Sequence, residues 1–274
     1  MDLELEQLTP VIGSEVHGID LNQVDATLAA KIKTTLNERL VLVFRDQSLT
    51  REAHKRFARL FGTGQLQRHP LSRSGDPEIL DVKTDKDSKF TAGEGWHTDV
   101  SCEAAPISAS MLYLTQPPEG GGGDTLFANM AEAYARLSEP VKALVHTLKA
   151  VHDGALPWKT IYGIDPKPGT TYPRYEHLVV IRHPDTGREV LFVNRGFTTH
   201  LTGVSAQEGR FLLEMLFNHI EASPQIHCRV QWRPNTLVMW DNVATQHHAV
   251  WDYFPHSRYG ERVSSLGVEL SAAA

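Results

Sequence analysis

The segment Trp96-His97-Thr98-Asp99-Val100 sets an imidazole and a carboxylate two residues apart. If it is a strand, the period of two sends His97 and Asp99 to one face while Trp96 and Thr98 point away. A metal held by that pair needs a further ligand, and the remote Thr245-Gln246-His247-His248-Ala249 can supply one, with His256 as another candidate. Alternation turns His247 and His248 to opposite faces, so at most one of them binds. Two histidines and one carboxylate on one side of an ion leave its other side open, the arrangement of non-haem Fe(II) oxygenases. Zn(II) accepts the same donors and keeps a position for water, which makes a hydrolase the competing reading. A noncatalytic jelly-roll binding protein with the metal as a structural clip is the third.

These residues need a rigid frame, and the patterning supplies short strands with helices outside them. Leu3, Leu5, Leu8, Val11, Ile12 and Val16 suggest an opening meander, and Leu28, Ile32, Leu36 and Leu40 an amphipathic helix over 25–40. Leu40 to Phe44 is a continuous apolar run, the mark of a buried strand, and Thr50 can cap a second helix reaching Phe61. Further helices are expected over 130–137, 139–151 and 206–220. Strands are expected near 79–81, 96–101, 108–115, 178–182, 189–194, 228–231, 236–241, 245–249 and 262–267. Many short strands between turns favour a closed sandwich, so the fold class is an all-β core with peripheral helices, a jelly roll of cupin-like form. Pro157, Pro166, Pro168, Gly169 and Pro173 break the pattern over 152–177, and this stretch is expected to be an active-site lid. Gly120 to Gly123 lack a following Lys-Ser or Lys-Thr, so they read as a hairpin connection and not as a phosphate cradle.

Composition narrows the partners. With 274 residues, 41% of them hydrophobic, the chain can bury one large core, and 1–274 is read as one domain. A net charge of -6 argues against nucleic acid or an anionic membrane surface as partner. The acidic start carries no secretory signal, and no apolar run is long enough to span a bilayer. Cys102 and Cys228 could form a single disulfide at most, so a reduced, cytoplasmic setting is expected. Cys102 is expected to be a buried free thiol, and Asp241 a turn former or hydrogen-bond acceptor near the ligand strand.

Taken together, Trp96-His97-Thr98-Asp99-Val100, Gly122-Gly123-Asp124-Thr125, Leu191-Phe192-Val193-Asn194, Gly196-Phe197-Thr198-Thr199, Trp240-Asp241-Asn242 and Thr245-Gln246-His247 occur in an order and spacing that resembles the taurine dioxygenase family. That family of Fe(II)/2-oxoglutarate enzymes includes alkylsulfatases and phenoxyalkanoate dioxygenases. The resemblance runs over nearly the whole chain, and it implies a double-stranded β-helix with iron held by His97, Asp99 and His247. It further implies that iron, 2-oxoglutarate and O2 together hydroxylate a small anionic organic substrate, with release of succinate and CO2.

The far carboxylate of 2-oxoglutarate calls for a planar, permanently charged partner. Arg258, eleven residues after His247, resembles the residue for this task, and Thr125 the hydroxyl beside it. Arg262, an even four residues further, shares a face with Arg258 if the segment is extended. It matches the family arginine that meets the substrate's anionic head, where His69 and the backbone N-H of Val100 assist. Phe197 and Trp158 are candidate apolar walls around the substrate body. Two departures bear on the substrate: Gly93 replaces an asparagine and Ser72 a tyrosine, both at the amine end of taurine, so an aminosulfonate lacks its partners. Relatives form dimers or tetramers, and a homo-oligomer is expected here.

Overall fold

Strand Val41–Phe44 is buried on both faces, and the reason lies in what covers it. Leu42 and Phe44 face Ile32, Leu36 and Phe57 of the outer helices, while Val41 and Val43 face Phe127 and Trp240 in a second apolar cluster. A central strand between two layers has no solvated side, which explains the unbroken apolar run. The computed structural model describes residues 3–69, 72, 74–160, 164–165 and 168–272.

The largest sheet has seven strands in the order Glu4–Gln7, Ser14–His17, Val41–Phe44, Thr236–Asp241, Ile107–Gln116, Arg258–Leu266 and Leu80–Thr84. All its pairings are antiparallel except that of Ser14–His17 with Val41–Phe44. A three-stranded sheet, His227–Val230, Thr125–Asn129 and Thr245–Ala249, carries His247. Two further three-stranded sheets complete a mostly β molecule with helices around it. No helix among the described residues is long and apolar enough to cross a membrane.

Local chemistry sets the helix ends. Asp25 accepts from Leu28 N at 2.8 Å and Thr50 from Ala53 N at 3.2 Å, which start the helices Ala26–Arg39 and Arg51–Ala58. Ser205 and Glu208 close a reciprocal capping box on Ala206–Glu221.

Several expectations are corrected. Residues 96–101 form no strand: His97 makes an isolated bridge, and a turn follows it. The helix expected over 139–151 stops at Val145, because Lys149–Asp153 pairs on both sides, with Thr198–Thr202 and Arg174–Leu178. Those pairings also make both ends of the 152–177 stretch strand, with a short helix, Leu156–Thr160, between them. Residues 161–163 and 166–167 of that stretch lie outside the described residues.

Candidate active site

His97 and His247 meet through the backbone. His97 N donates to His247 O at 3.1 Å and His247 N to His97 O at 2.9 Å, so the two residues face each other across a bridge. Directly paired residues share a face, and their rings lie 4.1 Å apart. His247 belongs to Thr245–Ala249, where His248 points to the other side and packs edge-on against Trp96. His256 is exposed in a separate loop.

Asp99 reaches the same point by a turn. The Asn242 side chain holds its backbone from both sides, accepting from Asp99 N and donating to Asp99 O, each at 3.0 Å. Val100 then takes a positive φ of 52°, which a β-branched residue rarely adopts and which costs about 1–3 kcal/mol. The outcome is a buried cluster in which one atom each of His97, Asp99 and His247 lie within 4.8 Å of one another. Asp99 is 3.7 Å from His97 Nε2 and 4.0 Å from His247 Nε2.

The donor set fits a divalent ion. His97 Nδ1 lies 2.9 Å from Gly95 O, a contact that places the proton on Nδ1 and leaves the Nε2 lone pair for a metal. Burial keeps His247 well below the ordinary histidine range, so its ring is neutral. Burial alone would raise the Asp99 carboxyl, but Arg262 and the two histidines hold it well below the usual carboxylate range. Arg262 Nη1 donates to both Asp99 oxygens, at 2.9 and 2.8 Å, and Ser110 Oγ to one of them at 3.2 Å.

One cavity joins this cluster to the remaining charged groups. Thr125, Trp232 and Arg258 line it together with the cluster, Arg262 and an apolar wall that includes Leu80, Val82, Phe127 and Ala249. Arg258 is 2% exposed, yet its Nε and Nη2 have no partner. Buried polar groups are normally satisfied, so among the described residues these donors stand open to a ligand. Such a site fits the far carboxylate of a dicarboxylic oxoacid whose other end reaches the metal. Arg258 and Arg262 both face it because Arg258–Leu266 is one continuous strand.

The family model for the taurine catabolism dioxygenase TauD, TfdA family, matches residues 4–264. The chain belongs to that family. An alpha-ketoglutarate-dependent dioxygenase of Penicillium expansum, cnsM, is 34% identical over 92% of this chain and 74% of its own length. An alkylsulfatase of Acinetobacter baylyi is 33% identical over 99% and 87%. A crystal structure of a taurine dioxygenase from Burkholderia xenovorans, 33% identical, superposes with a TM-score of 0.84 over 98% of this chain and 90% of that one. This TauD-family member is therefore a 2-oxoglutarate-dependent non-haem iron dioxygenase that uses Fe(II), 2-oxoglutarate and O2. The zinc hydrolase and noncatalytic readings are set aside.

The remaining sequence candidates are placed as follows. His69 Nε2 is buried without a partner among the described residues, and its ring lies near enough to Arg262 and Asp99 to feel their charges. Phe197 is half-buried with its ring 6.5 Å from that of His97. Trp158 lies with its ring tilted against that of Tyr172, 6.1 Å away, and is not among the cavity's lining residues. Asp241 accepts from Val243 N, Ala244 N and His183 and lies outside the His97, Asp99 and His247 cluster. Both cysteines are free and buried.

Two contributors were missing from the sequence reading. Asn242 was visible only as part of Trp240-Asp241-Asn242, and its clamp on Asp99 spans a separation that no local pattern reports. Gly196 lies against the first ligand, and a Cβ there would stand 2.7 Å from His97 Cβ. Since His97 Cβ is fixed by its backbone, Gly196→Ala is expected to push the ring off line and weaken Fe(II) binding about tenfold. Calorimetric titration of the variant with Fe(II) checks this, and wild-type affinity would count against it.

Proposed function

We propose that this enzyme hydroxylates a small organic anion with an apolar body, its head a sulfonate, sulfate ester or carboxylate. His97, Asp99 and His247 hold the iron, Arg258 and Thr125 hold the far carboxylate of 2-oxoglutarate, and Arg262, His69 and the Val100 N-H receive the substrate head. The observation that carries this reading is the single cavity with buried, unsatisfied Arg258 donors at one end and the ligand cluster with Arg262 at the other. When bound, iron with 2-oxoglutarate and O2 supplies the oxidising power, yielding succinate and CO2 and passing an oxygen atom to a substrate C-H.

The chain's residues decide what is oxidised. His69 Nε2 and Arg262 Nε, both buried without partners, are the polar atoms free to meet an anion beside the cluster. Neither departure position offers anything to an amine. Ser72 Oγ is spent on Ile79 O at 2.6 Å and Ser74 Oγ at 2.7 Å, and Gly93 has no side chain beside His97. Leu80, Val82, Ala92 and Ala249 suit a hydrocarbon body, as in the alkylsulfatase relative. Phe197 closes this body off next to His97. The lid reading is kept for 154–173, whose neck is tied by Gly154 N to Pro173 O at 2.8 Å and which carries Trp158.

We read the seven-stranded sheet and the ligand-bearing sheet as the two halves of a double-stranded β-helix. The two buried free thiols favour a cytoplasmic setting, and symmetry favours a homo-oligomer, a dimer or tetramer.

Succinate release screened across alkyl sulfates, alkyl and amino sulfonates, and aryloxy carboxylates tests the substrate class. Turnover with amino sulfonates alone would contradict it. Arg262→Ala is expected to uncouple succinate release from substrate hydroxylation while 2-oxoglutarate binding, read from the anaerobic Fe(II) charge-transfer band, stays near wild type. Equal loss of both would overturn the division between the two arginines.

A further inference from the structure

Thr125 and Arg258 are joined by a third side chain, Trp232. Its indole Nε1-H donates to Thr125 Oγ1 at 3.1 Å, and the Arg258 guanidinium carbon lies 5.4 Å from the centre of its ring. All three line the cavity, and Trp232 is 8% exposed. Its position follows from register: Val230 pairs with Thr125 at the end of their strands, so the chain two residues later overhangs the threonine.

A threonine hydroxyl has one hydrogen to give and two lone pairs. The indole N-H occupies one lone pair, and among the described residues no acceptor takes the hydroxyl hydrogen. That hydrogen is therefore available to the cavity, beside the unpartnered Nε and Nη2 of Arg258. The ring meanwhile restrains the guanidinium plane, which meets few polar groups here. Of these three side chains, then, Arg258 offers only donors and Thr125 a free hydroxyl hydrogen with a single remaining lone pair. Such a surface complements a carboxylate and disfavours a carboxamide, whose two N-H groups would face Arg258 donors and share at most one acceptor.

We propose that Trp232 is a positioning residue that fixes the hydrogen-bond polarity of the co-substrate end, and so selects a dicarboxylic 2-oxo acid over its 5-amide. The proposal rests on the reading above that Arg258 and Thr125 take the far carboxylate.

Trp232→Phe keeps a ring over Arg258 and removes the N-H, while Thr125→Val removes the hydroxyl. The anaerobic Fe(II) charge-transfer band, titrated with 2-oxoglutarate and separately with its 5-amide, gives an affinity ratio for each protein. The wild type is expected to favour the acid by about 100-fold, and Trp232→Phe to weaken the acid about tenfold while the amide changes little, the worth of one oriented hydrogen bond. In the Thr125→Val background, Trp232→Phe is expected to change the ratio no further, because the two act through one hydroxyl. Melting temperatures separate packing from polarity. A Trp232→Phe protein that melts lower but keeps the wild-type ratio overturns the proposal, as does a ratio that falls equally in both backgrounds. A wild type with no band on adding 2-oxoglutarate would instead overturn the underlying co-substrate reading.

Discussion

Replacing Arg258 by methionine is expected to raise the melting temperature of the metal-free protein while lowering 2-oxoglutarate affinity at least about 100-fold. The guanidinium is 2% exposed with two unpartnered nitrogens, and burial pushes its ionisation below the ordinary arginine value. An ionised group taken out of water without full pairing costs several kcal/mol, and apolar side chains of similar volume commonly stabilise such sites by about 1–4 kcal/mol. Methionine can fill the space against Trp232 without that cost. The co-substrate then loses its charge-assisted partner at the far carboxylate. Saturation sharpens the contrast: at about 100 times its dissociation constant a ligand adds roughly 2.7 kcal/mol to the native state, so wild type should gain from 2-oxoglutarate with Fe(II) where Arg258→Met gains almost nothing. Thermal unfolding under anaerobic conditions with and without 2-oxoglutarate measures both. If the variant melts lower and binds 2-oxoglutarate normally, Arg258 is a structural cation and the cavity has another purpose.

Legibility from sequence followed the range of the interactions involved. The two arginines were readable because alternation along one strand is local, and Arg258–Leu266 keeps them on one side. The ligand triad was readable as residue types and spacing, yet the geometry expected for it was not the one found. Period-two alternation predicts His97 and Asp99 side by side on a strand, whereas His97 is placed by its bridge to His247 and Asp99 by Asn242. Both contacts are made by distant chain, and nothing in Trp96 to Val100 encodes them. The strand Thr125–Asn129 was passed over because five residues after a glycine run carry little pattern, although it is the middle strand between the two others of its sheet. The helix read through 139–151 failed at Lys149 for a related reason: pairing with two neighbours outweighs propensity. Trp232 sits outside any periodic element, so only the fold reveals that it touches both Thr125 and Arg258.

Asp99→Ala and His247→Ala are both expected to abolish iron-dependent turnover, but the first should destabilise the metal-free protein more, because it also leaves a buried cation unpaired. Each removes one of three ligands, and a site of two donors loses the geometry that leaves one side of the ion for oxoacid and O2. Asp99 has a second task, since it is the only carboxylate with which Arg262 makes a hydrogen bond among the described residues. Removing it leaves a largely buried cation unpaired, a change that costs about 3–5 kcal/mol when pairing is complete and desolvation deep. Arg262 keeps some access to solvent, its side chain 15% exposed, so the lower part of that range is the expected loss. His247 carries no such obligation. Its Nδ1 has no partner among the described residues, and its neutral ring lies 4.1 Å from that of His97 at a tilt, so alanine loses packing but relieves an unsatisfied polar atom. Chemical denaturation of the two metal-free variants, followed by Fe(II) titration, tests the pair. A loss in Asp99→Ala that the added Arg262→Met change does not relieve would mean that the Asp99 and Arg262 pairing contributes little before iron binds. A larger stability loss in Asp99→Ala, relieved in the Asp99→Ala Arg262→Met double variant, would show that one carboxylate both balances the arginine's charge in the metal-free protein and surrenders it to the metal and substrate when they arrive.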